Sequence, residues 1–153
     1  NCCSPKRMVK DLPLMEITLR RYEKPYDSSK RDLVRKVCLS LGLLQPGDSR
    51  DIIVDLFLIL EDSRKQSVWL SSFEIRDKIE ELRKQNSLDN KGLAESNIRR
   101  QLKRLRDIMF VDKKENKYRL SEFAPLPEIF KNKVEAFIVP QTIERIKEYL
   151  ERL

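Results

Sequence analysis

The chain has 153 residues, enough for one domain with a proper core or for a small domain carrying an arm and a tail. Only three Gly and three Ala stand among abundant Leu, Ile, Lys, Arg and Glu, which points to a mostly helical, soluble protein with a thermophile-like Lys and Glu content. The net charge of +7 directs attention to polyanionic partners, while the absence of His and of any CxxC spacing among the three cysteines excludes a zinc finger.

Asn1 to Leu14 is short and polar and reads as an arm without assigned function. From Met15 to Tyr22, Ile17 and Leu19 alternate with polar residues, as in a half-buried strand or an extended arm lying on the domain. Residues 1–26 are therefore taken as an N-terminal arm or strand. Asp27 or Ser28 then caps a helix to about Leu41, striped by Leu33, Val34, Val37, Cys38 and Leu41, with Cys38 in the core and Gly42 just past the end. Pro46-Gly47 breaks the chain and closes an N-terminal helix unit at 27–47.

Asp48 or Ser49 is the expected cap of the next helix, whose Ile52, Ile53, Leu56, Phe57 and Leu60 give the broadest apolar face in the chain. The other elements should pack on it. Val68, Trp69 and Leu70 form a three-residue strand candidate, with Trp69 assigned to the core. Ser71, Ser72, Phe73 and Glu74 fit a capping box stapled by Leu70 and Ile75, opening a helix that runs through Ile79 and Leu82 to about Gln85. Asn86 to Leu93 is a loop by composition.

Between Glu95 and Ser121 the pattern changes. Ile98, Leu102 and Leu105 fall at i, i+4 and i+7 on one helical face, and basic residues cover the rest. Phe110 and Val111 lead into the polar run Asp112 to Asn116, after which Tyr118 and Leu120 return with alternating spacing, as in a two-stranded hairpin with a basic tip. From Arg99 to Arg119 there are nine Lys or Arg against Asp107, Asp112 and Glu115, so a net +6 sits in this segment alone.

This stretch resembles the winged helix-turn-helix family. The resemblance rests on Ser96 to Leu105 as a third, recognition-like helix, Phe110-Val111 as the strand after it and Lys117 to Leu120 as the strand returning from the wing. It covers about half the chain. Met109 stands where the family usually has Gly, and the loop at 86–93 is longer than a tight helix-turn-helix turn. The implied fold is mainly α with a small β-hairpin wing, an α+β winged helix domain at 48–123 with additional N-terminal and C-terminal helices.

After Phe123, Ala124, Pro125, Leu126 and Pro127 stop the hairpin and open a helix-like segment holding Ile129, Phe130, Val134 and Phe137, interrupted at Pro140. Thr142 is a candidate cap for the last helix, where Ile143, Ile146, Leu150 and Leu153 repeat at three, four and three. This seam can pair with a second copy of itself or lie back on the apolar helix at 52–60. Dimerisation is favoured, because residues 124–153 lie outside what a winged domain needs for its own core.

The implied partner is double-stranded DNA, met by Ser96, Asn97, Arg99, Arg100, Lys103 and Arg104 on the helix and by Lys113, Lys114, Lys117 and Arg119 on the wing. Asn97 and Arg100 have the functional groups to read adenine and guanine, and Lys103 and Arg104 suit phosphates. Asp107 is expected to pair with Lys103 or to turn away. The simplest role is transcriptional regulation by a dimer. The alternative is a winged-helix module for protein contact in a chromosome-maintenance or replication assembly, which an exposed apolar patch on the same surface would favour.

No Gly-rich phosphate loop, metal-ligand cluster or His base appears, so no catalytic residue, metal or cofactor is expected, and an enzyme is disfavoured. No residue names a small-molecule effector. Without an apolar run of bilayer length or a signal-like start, the expected setting is intracellular, either cytoplasmic and nucleoid-associated or nuclear.

Overall fold

The computed structural model describes residues 11–153, so Cys2, Cys3 and the first ten residues of the expected arm lie outside the described residues. The protein is α+β, with helices arranged around a small three-stranded antiparallel sheet. In chain order the elements are α1 (Lys30–Ser40), α2 (Ile52–Lys65), β1 (Leu70–Ser71), α3 (Ser72–Gln85), α4 (Glu95–Asp107), β2 (Val111–Lys114), β3 (Lys117–Leu120), α5 (Leu126–Ile129) and α6 (Val139–Leu150). No helix among the described residues is long and apolar enough to cross a membrane.

Residues 15–22 form no strand. They run as an extended arm whose Arg20 amide donates to Ser40 O at 2.8 Å, while the Arg20 guanidinium reaches Leu39 O and the Gln45 side chain. These single contacts replace a ladder because no neighbouring strand is available to pair with. Gly42 is fixed by the same arm: its φ is +68°, and a Cβ there would collide with the Thr18 side chain.

α2 is the hub. Ile52, Ile53, Leu56, Phe57 and Leu60 are buried as expected, and Phe57 meets Phe110 edge-on at 5.9 Å. The expected cap at Asp48 or Ser49 is replaced by Asp51, whose carboxylate makes no cap bond and accepts instead from Arg31 at 3.1 Å and Arg83 at 3.0 Å. Asp48 closes its own turn by accepting from the Arg50 amide. On α1, capped by Ser29, the buried line contains Cys38, whereas Leu33 and Val37 of the expected stripe stay exposed. They border an apolar pocket of about 640 Å³ with Tyr22, Tyr26 and Phe130.

β1 begins at Leu70, later than expected, and Ser71 at its end caps α3 through a complete capping box: Ser71 Oγ accepts from the Glu74 amide and Glu74 Oε1 from the Ser71 amide, both at 3.1 Å. Leu70 and Ile75 are both buried. β3 lies between β1 and β2, and β2 is joined to it by the two-residue turn Glu115-Asn116, both at positive φ as a type I′ hairpin requires. The polar run from Asp112 supplies strand residues to Lys114 and the turn at Glu115-Asn116 of the expected hairpin.

Four helices close with one backbone device, a residue in the left-handed region followed by an amide that reaches back five positions. Leu43 donates to Cys38 O at 2.9 Å, Val68 to Ser63 O at 3.0 Å, Leu88 to Arg83 O at 2.8 Å and Phe110 to Leu105 O at 2.9 Å. The left-handed residues are Gly42, Ser67, Ser87 and Met109, so only α1 uses Gly. Met109, at φ +66°, therefore makes the turn that a Gly would make without strain.

The C-terminal segment is one continuous helical rod. Between α5 and α6, residues Phe130–Ile138 are wound wider, with i→i+5 hydrogen bonding that ends in the Val139 amide on Val134 O. That winding sets Ile129, Val134 and Ile138 inward and leaves Phe130 and Phe137 exposed, unlike the expected grouping. Pro140 does not interrupt the rod: it falls where the wide winding returns to the α register, so its missing N–H breaks no continuing ladder. Thr142 is inside the helix rather than at its cap, and its hydroxyl donates to Ile138 O at 2.7 Å. α6 buries no residue, so its apolar seam does not lie back on α2.

Candidate nucleic-acid interface

α4 carries the site. Ile98, Leu102 and Leu105 are fully buried, which fixes the helix rotation and turns Ser96, Arg99, Arg100, Lys103 and Arg106 to solvent. Ala94, the residue before the helix, offers no side-chain cap. Asn97 does the anchoring from within: its Nδ2 donates to Gly92 O at 2.7 Å, tying the 86–93 loop to the first turn.

The remaining oxygen of Asn97 accepts from Arg100 Nη2 at 2.7 Å and from Gln101 Nε2 at 3.2 Å. Both functional atoms of Asn97 are thus in use, and Arg100 is held in an exposed position by its neighbour. Arg99 pairs with Glu95 one turn back, and Lys103 with Asp107 at 3.3 Å, the pairing expected from i, i+4 spacing. Arg104 is turned inward, donating to Gly42 O at 3.2 Å and to Gln101 Oε1 at 2.8 Å. It ties α4 to the end of α1.

On the hairpin, Lys113, Lys114 and Lys117 are exposed, and Lys113 Nζ sits 5.7 Å from the ring of the buried Tyr118. Arg119 is different. Its Nε donates to Asp112 Oδ2 at 2.9 Å, and its guanidinium lies 4.4 Å from the Trp69 ring and 4.7 Å from that of Phe123. Trp69, expected in the core, is half-buried under this guanidinium and meets Phe123 edge-on. Arg119 therefore locks β3 to β2 and to the segment before β1.

Two cations to which spacing in the sequence assigns no contact, Arg106 at the end of α4 and Lys133 in the C-terminal segment, both line a polar cleft beside β2. No cluster of His, Cys, Asp and Glu among the described residues could hold a metal. None of the large exposed apolar residues falls on α4 or the hairpin. No family model, curated protein or solved structure matches this chain.

Proposed function

We propose that the chain is a double-stranded DNA-binding protein, most simply a transcriptional regulator, in which residues 48–123 act as a winged helix domain. Three helices interleaved with three short strands in the order α2, β1, α3, α4, β2, β3, with β3 central in the sheet, support that architecture. In this reading α4 enters the major groove and the β2–β3 hairpin, as the wing, meets flanking phosphates or the minor groove.

The observation that carries the reading is the division of α4 into a fully buried apolar face and an exposed cationic one that continues onto Lys113, Lys114 and Lys117. A helix about 10–12 Å across fits a major groove about 12 Å wide. Arg100 is the best base reader, because Asn97 presents it; Asn97 itself serves as its support. Lys103 and the hairpin lysines suit phosphates, and Arg104 and Arg119 hold the scaffold. The absence of large exposed apolar side chains from α4 and the hairpin favours DNA over a protein-contact role for this surface.

The exposed Ile143, Ile146 and Leu150 of α6, with Leu153 just past the helix end rather than on it, support a second copy of the chain as the partner of this seam. A dimer would set two copies of α4 about 34 Å apart, one turn of DNA. Titrating a mixed-sequence duplex with the intact chain across a salt series tests the reading. A steep negative dependence of log affinity on log salt is expected, and lack of binding at low salt contradicts it.

A further inference from the structure

Beside β2 is an open polar cleft of about 870 Å³, walled by the last turns of α4, by β2 and by Lys133 of the wide-wound segment. Lys103, Arg106, Lys113, Lys114, Arg119 and Lys133 all face it, against only Asp107 and Asp112. Both carboxylates are engaged within the cleft. Asp112 accepts from Arg119 and from the Glu122 amide at 3.0 Å, and Asp107 accepts from Lys103. Arg106, Lys113, Lys114 and Lys133 have no carboxylate partner among the described residues.

Four unpaired cations converging from three elements repel one another, and in water that repulsion is tolerated but not rewarded. Local explanations cover only part of the set. Arg106 suits the negative end of the α4 dipole, and the hairpin lysines keep an edge strand soluble. Neither explains Lys133, which sits mid-helix, is half-buried and reaches this cleft only through tertiary packing. A polyanion with regularly spaced charges would relieve all four together.

We infer that this cleft is a second track for duplex phosphates, in which Arg106 and Lys133 grip the backbone beside the α4 contact and bring the C-terminal rod into the interface. The inference rests on the DNA-binding reading of α4 and adds to it a contact outside the winged domain. The track is sequence-neutral: Arg106 lies at the C-terminal end of α4, whereas base edges are met from the N-terminal half.

The test compares salt dependences of duplex binding for the intact chain, for Arg106→Gln with Lys133→Gln, and for Lys147→Gln on the exposed surface of α6 as a control. Each lost phosphate contact lowers the slope by about 0.9, so the double variant should fall by about 1.8 with base preference unchanged, and the control should match the parent. Lys133→Arg should keep the parental slope. A parental slope in the double variant, with flattening by Arg100→Ala and Lys103→Ala, would overturn the second track and leave the α4 reading intact. An intact chain that binds no duplex at low salt overturns both.

Discussion

Arg83 on α3 donates through Nη1 to Asp55 Oδ2 on α2 at 2.6 Å, and both side chains are out of solvent. Asp55 also takes Arg31 from α1 through both oxygens, at 2.7 and 3.2 Å, and Arg83 reaches the Asp89 carbonyl in the loop before α4. One carboxylate thus ties three helices, and its arginine extends the tie to the loop from which α4 begins. No buried side-chain polar atom among the described residues lacks a partner.

Asp55→Ala should cost about 3 kcal/mol, the lower end for breaking a buried ion pair, because Asp51 keeps a hold on Arg83. Glu61→Ala, which removes a same-helix partner of Arg64, should cost under about 1 kcal/mol. Urea denaturation of the two variants checks the contrast. Equal losses would mean that the buried network does not organise the helices.

Stability should be greatest between roughly pH 5 and 8 and fall on both sides. Burial alone would raise the Asp51 carboxyl, but hydrogen bonds and charge from Arg31 and Arg83 outweigh it and hold the group below its ordinary value. Its contribution is therefore present above about pH 4 and is lost as pH falls through the lowered value. Burial pushes the Cys38 thiol up to about 12, so its contribution is complete below the ordinary thiol range and declines as pH rises toward that value. Asp51→Asn should flatten the acid limb of denaturation midpoint against pH, and Cys38→Ala the alkaline limb. Unchanged limbs would contradict the assignments.

The non-Gly helix ends predict a gain rather than a loss. Ser67 and Ser87 are exposed at φ +54°, so Ser67→Gly and Ser87→Gly should each raise stability by about 1 kcal/mol, whereas Ala at either site should not. Thermal melts of the four variants read the difference directly.

Signals confined to a few neighbouring residues were legible in the sequence. The Ser71–Glu74 capping box, the inward line of Ile98, Leu102 and Leu105 and the Lys103–Asp107 pair all follow from spacing, as does the apolar seam of α6, though not its exposure. Relationships across longer separations were not. Asp55 and Arg83 are 28 residues apart and Asp51 and Arg83 are 32, so nothing in the periodicity of either helix marks them as partners. Arg119 reads as one more wing cation until Trp69 is brought beneath it. Met109 conceals its left-handed turn because the usual Gly is missing, and the wide winding of Phe130–Ile138 leaves a buried line at 129, 134 and 138 that α-helical spacing does not suggest.

The α6 seam predicts an oligomer. The intact chain should sediment as a dimer at tens of micromolar, and Ile146→Asp with Leu150→Asp should give a folded monomer, since both side chains are more than half exposed in one chain. A monomeric parent would remove the paired-helix geometry on DNA while leaving single-site binding open to test.

Whether the exposed face of α4 binds duplex DNA is read from the salt-dependent affinity of Arg100→Ala with Lys103→Ala beside the parent. A steep negative parental slope is expected, with the double variant binding more weakly and its slope reduced by about 0.9 for the lost Lys103 phosphate contact, at unchanged helix content by circular dichroism. A double variant that binds like its parent, with the same slope, would contradict DNA binding by this face.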